Sequence, residues 1–161
     1  EVRLELFGTN HPDVAASLGG LGDVCRRQYA LAEAATCQVR ALAICEQCYG
    51  PSHGRTAESC RDLARVRAAE GKVAEAMALY ERALSNLEAA TEVAGGESFG
   101  APLRDLQNDI CSEYLELMVQ TNGAVRLTPG DAAEKMLWAT ELVRSRLLLD
   151  LIEGYGSDAR S

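Results

Sequence analysis

Ala32-Glu33-Ala34 and Arg40-Ala41-Leu42 return 42 positions later as Ala74-Glu75-Ala76 and Arg82-Ala83-Leu84, and this recurrence decides the fold. Carrying the same shift outward pairs Gly8 with Gly50, His11 with His53, Ala15 with Ala57 and Ser17 with Ser59. It also pairs Leu21 with Leu63, Val24 with Val66 and Glu46 with Glu88, for 13 identities in one 42-residue window. A period of that length marks a chain of stacked supersecondary units, each touching mainly its neighbours.

Each unit reads as a helical hairpin. In the first, Asn10 is the expected N-cap, with Pro12 and Asp13 in the opening turn, where a missing N–H and a negative charge are both favourable. Val14, Leu18, Leu21 and Cys25 recur every three or four positions, as an amphipathic helix requires. Gln28-Tyr29-Ala30 is the expected turn. The second helix then turns Leu31, Ala34, Ala35, Val39, Leu42 and Cys45 inward and ends near Tyr49-Gly50-Pro51. The second unit follows the same plan: Ser52 to Glu70, a turn at Gly71, and Lys72 to about Ala94. Ala34, Ala41, Ala76 and Ala83 are small enough to let neighbouring helices approach closely.

Composition agrees with helices. The chain has 161 residues, of which 25 are Ala and 21 Leu, with 5% aromatics and four prolines. Such a balance favours helix over sheet. No apolar run approaches the ~18–20 residues a membrane-spanning helix needs. Sixteen basic against 24 acidic side chains leave a net charge of −8, and nucleic acid or an anionic membrane would repel such a surface. Glu1-Val2-Arg3-Leu4-Glu5-Leu6 is too charged and short for a signal peptide. The six cysteines lie mostly in helix-like sequence, which points to free, largely buried thiols in a reducing, cytoplasmic setting.

Several residues carry a resemblance to a known family. Leu21-Gly22, Ala34 and Ala41-Leu42 in one unit, and Leu63-Ala64, Gly71, Ala76, Tyr80 and Ala83-Leu84 in the next, resemble the tetratricopeptide repeat (TPR), whose basic unit is 34 residues. The longer spacing and the linker from Leu6 to Ala15, with its Gly8 and His11-Pro12-Asp13-Val14, resemble the kinesin-light-chain variety. Departures are visible: Cys25 and Gln38 stand where tyrosines are usual, Tyr29 replaces the turn glycine, and the second linker shows His53-Gly54. The resemblance implies an all-α, right-handed TPR-type α-solenoid of antiparallel helical hairpins. Residues 1–8 are then the end of a preceding repeat helix, so the chain begins mid-array. Hairpin 1 is 9–50 and hairpin 2 is 51–95, followed by a divergent C-terminal helical hairpin at 96–153 and a flexible tail at 154–161.

In that C-terminal third, Ser98 is the expected cap of a helix from about Phe99 to Thr121. Leu103, Leu106, Ile110, Tyr114, Leu117 and Met118 share one face of it, and Asn122-Gly123 stops it. A loop through Thr128-Pro129-Gly130 leads to a last helix from Asp131 to about Glu153. Within it, Glu141, Arg144, Ser145, Arg146, Leu148, Leu149, Asp150 and Leu151 resemble the final helix of TPR arrays that precede a CHAT domain, a caspase-like cysteine-protease module. That resemblance implies a cis protease domain beyond Ser161. A Leu-rich amphipathic helix with an Arg146–Asp150 pair at i,i+4 is the plainer alternative.

No catalytic residue is expected in the chain itself. A caspase-like dyad needs a histidine beside its cysteine on an α/β core, whereas His11 and His53 both sit in inter-repeat linkers. There is no P-loop, G-x-G-x-x-G or H-E-x-x-H motif, and no cofactor is implied. Cys45, Cys48, His53 and Cys60 have the residue types of a zinc site, but His53 shares its repeat position with His11, which has no cysteines near it. A histidine that caps or packs the linker is the preferred reading, with no metal.

A partner-binding surface is the remaining candidate. In TPR arrays the first helices line a groove. Carrying the family's groove positions over gives Gly19, Asp23, Arg26 and Arg27 in the first unit and Arg61, Arg65 and Ala68 in the second. On the third first-type helix they give Asn108 and Glu113. Four arginines in an acidic chain suit carboxylates, so the expected ligand is a protein or peptide, acidic or ending in a free carboxylate. The alternative is that Asp23 and Asp62 pair with those arginines along their own helices. Two functions follow: a scaffold that regulates or recruits partners to a CHAT-type protease, or an adaptor for cargo or complex assembly, as in kinesin light chains.

Overall fold

Two three-residue turns organise the better part of the chain. In the computed structural model, which describes residues 10–93 and 101–120 together with Leu137 and Glu141, they join α1 (Pro12–Arg27) to α2 (Leu31–Tyr49) and α3 (Gly54–Ala69) to α4 (Val73–Val93). A further helix, α5, spans Ala101–Gln120. The chain divides into two units, Glu1–Ile110 and Cys111–Ser161. Short turns make each pair an antiparallel hairpin, and α2 packs against both α1 and α3 while α3 packs against α4. The described residues are an all-α array of helical hairpins of the TPR type. The expected Ser98 cap, the Asn122-Gly123 stop, the end segments and all of the last helix except Leu137 and Glu141 lie outside them.

Both first helices begin in the same way. The imidazole Nδ1 of His11 accepts the Asp13 N–H at 3.2 Å, and that of His53 accepts the Arg55 N–H at 3.1 Å. In each case the histidine carbonyl accepts the first intrahelical N–H groups. An N-cap acceptor of this kind stabilises a helix by about 1 kcal/mol. The cap is therefore His11, not Asn10. Asn10 lies one residue too early to reach the first turn, and its Nδ2 donates instead to Gln47 Oε1 at 3.0 Å. The second helix likewise starts later than Ser52, at Gly54 behind His53. The His53 ring also stacks on Tyr49, with centroids 4.6 Å apart.

The two turns share one geometry as well. At the end of α1, Tyr29 N–H donates to Arg26 O and Ala30 N–H to Cys25 O; at the end of α3, Gly71 N–H donates to Ala68 O and Lys72 N–H to Arg67 O. These paired bonds form a Schellman motif, which places its C′ residue in the left-handed region. Gly71 adopts φ +77° without strain, while Tyr29 is forced to φ +61°.

Small residues occupy the helix contacts. Ala34, Ala76 and Ala83 are fully buried and Ala41 is nearly so, as the repeat implied. Val14, Ala15, Ile44 and Cys45 form one core cluster with Leu18 against it. A second joins Cys25, Ala34 and Ala35 of the first hairpin to Val66 of α3. Two expectations fail here: Leu21 and Val39, placed inward by their spacing, are about half exposed. A close contact in hairpin 1 runs instead through Gly22, where a Cβ would stand 2.7 Å from Gln38 Nε2. A stripe that narrow turns the flanking apolar side chains outward. In α5, Ile110, Tyr114, Leu117 and Met118 are buried as expected, Leu103 and Leu106 only partly, and Gln107 and Cys111 join the buried face.

Every cysteine is a free thiol. Cys25, Cys45, Cys60 and Cys111 are buried, Cys37 is partly so and Cys48 is exposed. Burial pushes the Cys60 thiol up to about 11, so it stays protonated near neutrality. Cys45 accepts from Ser59 Oγ at 3.2 Å, and Cys48 donates to Asn10 O at 3.3 Å. Among the described residues no group of three or more His, Cys, Asp or Glu is arranged to hold a metal ion, and no helix is long and apolar enough to cross a membrane.

Candidate inter-repeat groove

The first helices α1 and α3 face each other across a groove of about 260 Å³. Pro12, Asp13, Ala15, Ala16, Gly19 and Gly20 supply one wall, Arg55, Glu58, Ser59 and Asp62 the other, and Gln38, Cys45 and Tyr49 of α2 the remainder. The wall on α1 is low because Gly19 and Gly20 follow one another in mid-helix. Each such glycine destabilises a helix by about 1 kcal/mol relative to Ala. A Cβ at either position would meet nothing within 4 Å, so packing does not require them. Their effect is to leave the groove open.

Gln38 sits against that open wall at 1% exposure. Its Nε2 donates to the Gly19 carbonyl at 3.0 Å, whereas its Oε1 is buried without a hydrogen-bond partner. Exchanging the two ends of the amide would set oxygen against the Gly19 oxygen, so geometry fixes which half is unsatisfied. In the next unit the equivalent residue is Tyr80, an aromatic ring packed in the core.

The arginines expected to line the groove pair with aspartates of their own helices. Asp23 holds Arg26 at 2.6 Å and Arg27 at 2.9 Å, and the hydrogen bond from Arg26 keeps its carboxyl below the usual range. Asp62 holds Arg61 at 3.3 Å and Arg65 at 3.4 Å. Here burial outweighs the two guanidinium groups and pushes the carboxyl up. Pairs at i,i+3 and i,i+4 lie on one helix face, which brings Arg26 and Arg27 to Asp23 and Arg65 to Asp62, while Arg61 reaches Asp62 as its chain neighbour. Asp23, Arg26, Arg27 and Arg65 line neither this groove nor the next one.

That next groove, of about 610 Å³, lies between the start of α3 and the first half of α5 and is lined by Gly54, Arg55, Glu58 and Arg61 with Leu103, Asp105, Leu106 and Asp109. Arg61 is the one predicted arginine that lines a groove. Only 12% of its side chain is exposed, and its Nη1 reaches Asp109 Oδ2 at 3.7 Å. Asn108 is exposed on α5, Ala68 is half-buried on α3, and Glu113 is half-buried on α5. Sequence reasoning missed Gln38, Asp13, Glu58 and Asp62 as groove residues. The available signal was the repeat itself: a shift of 42 turns Pro12, Asp13, Ala16 and Gly19 into Gly54, Arg55, Glu58 and Arg61.

Hairpins closed by Schellman turns, alanine contacts between helices and grooves between successive first helices make up a TPR-type helical-repeat fold. Residues 30–89 match the tetratricopeptide repeat family model. Among solved structures the chain is similar to nearly identical TPR-like repeats of a kinesin-light-chain-type protein from Podosopora anserina. The TM-score is 0.53 at 20% identity, over 94% of this chain and 78% of that one. No curated protein sequence matches significantly.

Proposed function

We propose that this chain is a protein-interaction module whose inter-repeat grooves receive a segment of a partner protein, in the manner of an adaptor for complex assembly. One observation carries the reading: the α1–α3 groove is kept open by Gly19 and Gly20, which no packing contact requires. TPR-type arrays offer such grooves to extended segments, and the likeness to kinesin-light-chain-type repeats supports the adaptor form over the protease-regulating one. The link to a CHAT protease rests on the sequence of residues 141–151 alone, and no comparison adds to it. A cytoplasmic, reducing setting fits six free cysteines.

Gly19→Trp tests the groove directly, since it plugs the cavity from a position with open space around it. The wild-type chain and the variant are used as baits for partner capture with mass spectrometry, alongside thermal melts. The expected result is an unchanged melt with a tenfold or greater loss of the captured partner. An identical partner set at identical yield would end the groove reading.

A further inference from the structure

The two grooves use equivalent positions of successive first helices, and one of their differences is Gly19 against Arg61. In the α3–α5 groove Arg61 occupies the equivalent of Gly19, and its guanidinium, nearly excluded from solvent, crosses to the carboxylate of Asp109. The α1–α3 groove has the acceptors but no such cation. Glu58 and Asp62 stand on its α3 wall and Asp13 on the opposite one; of its lining residues Arg55 carries the guanidinium, tied to Glu58 at 3.1 Å, while Asp62 is reached from beyond the lining. Arg61 and Arg65 both contact Asp62 through Oδ1. The floor holds the Gln38 Oε1 that nothing satisfies, in a side chain 99% buried. An orphaned buried acceptor, carboxylates on both walls and a bare position where the neighbouring groove seats an arginine all call for the same group: a cation with several N–H donors.

We propose that the α1–α3 groove is a receptor for one arginine side chain of a partner segment, its guanidinium seated beside Gly19 and donating to Gln38 Oε1 and to the carboxylates of Glu58 and Asp62. The planar fork can serve two acceptors at once, which a lysine ammonium does less well. The inference rests on the adaptor reading and gives it a chemistry opposite to the acidic ligand that the four arginines suggested. Burial of Asp62, which holds its carboxyl above the usual range, makes an added cation more favourable there.

The test is an NMR titration of the 15N-labelled full chain with N-acetyl-arginine amide. The neutral isostere N-acetyl-citrulline amide and the acidic N-acetyl-glutamate amide serve as controls. The expected result is saturable shifts at the Gly19 and Gly20 amides and at the Gln38 side-chain amide, with at least fivefold weaker responses to both controls. Gln38→Met and Asp62→Asn each weaken the arginine response at least fivefold while thermal melts show both variants folded. Asp62→Asn keeps the test open if Gln38→Met fails to fold. Unsaturable shifts spread over the acidic surface, equal binding of citrulline, or an arginine response that survives Asp62→Asn would overturn the proposal. Partner capture lost in Gly19→Trp while the arginine probe fails removes only this inference; capture that survives the plug removes the adaptor reading.

Discussion

Hairpin 1 and hairpin 2 share caps, turns and alanine contacts but diverge wherever the groove or the left-handed turn residue is concerned. Hairpin 2 has Gly71 in its turn, Tyr80 in its core and Arg61-Asp62 on its first helix. Hairpin 1 has Tyr29, Gln38 and Gly19-Gly20 at the same three places. By local physics each hairpin 1 choice is the poorer one: a strained tyrosine, a buried amide with one orphaned end, and paired helix glycines. Two of these three departures, Gln38 and Gly19-Gly20, meet in the α1–α3 groove. By these local terms hairpin 1 is the less favourable of the two, and those two departures face a groove whose opposite wall hairpin 2 supplies.

That contrast can be broken or sharpened by substitution. The largest effect belongs to the core position. Tyr80→Ala is expected to lose about 3–5 kcal/mol, as removal of a buried aromatic does, while Gln38→Ala loses less than half as much because it also removes an unsatisfied oxygen. Urea denaturation monitored by circular dichroism reads both, and equal losses would deny the difference between the hairpins. Next comes the turn. Tyr29→Gly should gain about 1 kcal/mol by relieving the left-handed tyrosine, and Gly71→Ala should lose about the same. A Tyr29→Gly chain that melts no higher than the parent would show that Tyr29 is not strained.

The smallest effect distinguishes the two aspartates. Asp23, with its carboxyl drawn below its ordinary value chiefly by the Arg26 hydrogen bond, adds stability that is present above its unfolded pKa and lost as pH falls through the folded one. Its partial exposure and the screening of surface pairs limit this to about 0.5 kcal/mol. Asp62 has the opposite sign. Its carboxyl is raised by burial, so the charged form is penalised in the folded state, and stability declines as pH rises through the folded pKa. Asp23→Asn should therefore lower the melting temperature at pH 7 and leave it nearly unchanged at pH 3. Asp62→Asn should hold or raise it at pH 7, with that advantage gone at pH 3. Matching pH profiles for the two variants would remove the electrostatic distinction.

Much of this architecture is legible in the sequence because a repeat states each rule twice. Ala34 and Ala76 mark the same contact, Tyr29 and Gly71 the same turn, and both pairs behave as the shift of 42 implies. Periodicity alone misplaces two side chains. Leu21 and Val39 fit a helical stripe, yet contacts through Gly22 and alanine are too narrow to cover them. Asn10 is the better cap by residue type, but backbone position, not residue type, decides which side chain reaches the first turn. The groove was least legible. Its walls were named in part, through Gly19, but its floor comes from α2, and a reading that takes one helix at a time does not bring Gln38 under Gly19. For the arginines the plainer alternative was also legible, since their aspartate partners are close in sequence and pair with them along each helix.

The two three-residue turns have a kinetic consequence. Contacts between α1 and α2, and between α3 and α4, are separated by short stretches of chain, and low contact order of this kind goes with fast folding. Alanine at the closing contacts has almost no rotamer freedom to lose, so a hairpin can zip shut with little searching. The Cys25, Ala34 and Ala35 cluster, however, is completed by Val66 from the following hairpin. Hairpin 1 closes early and locks late, and the order in which the chain leaves the ribosome presents its helices in the sequence that this requires.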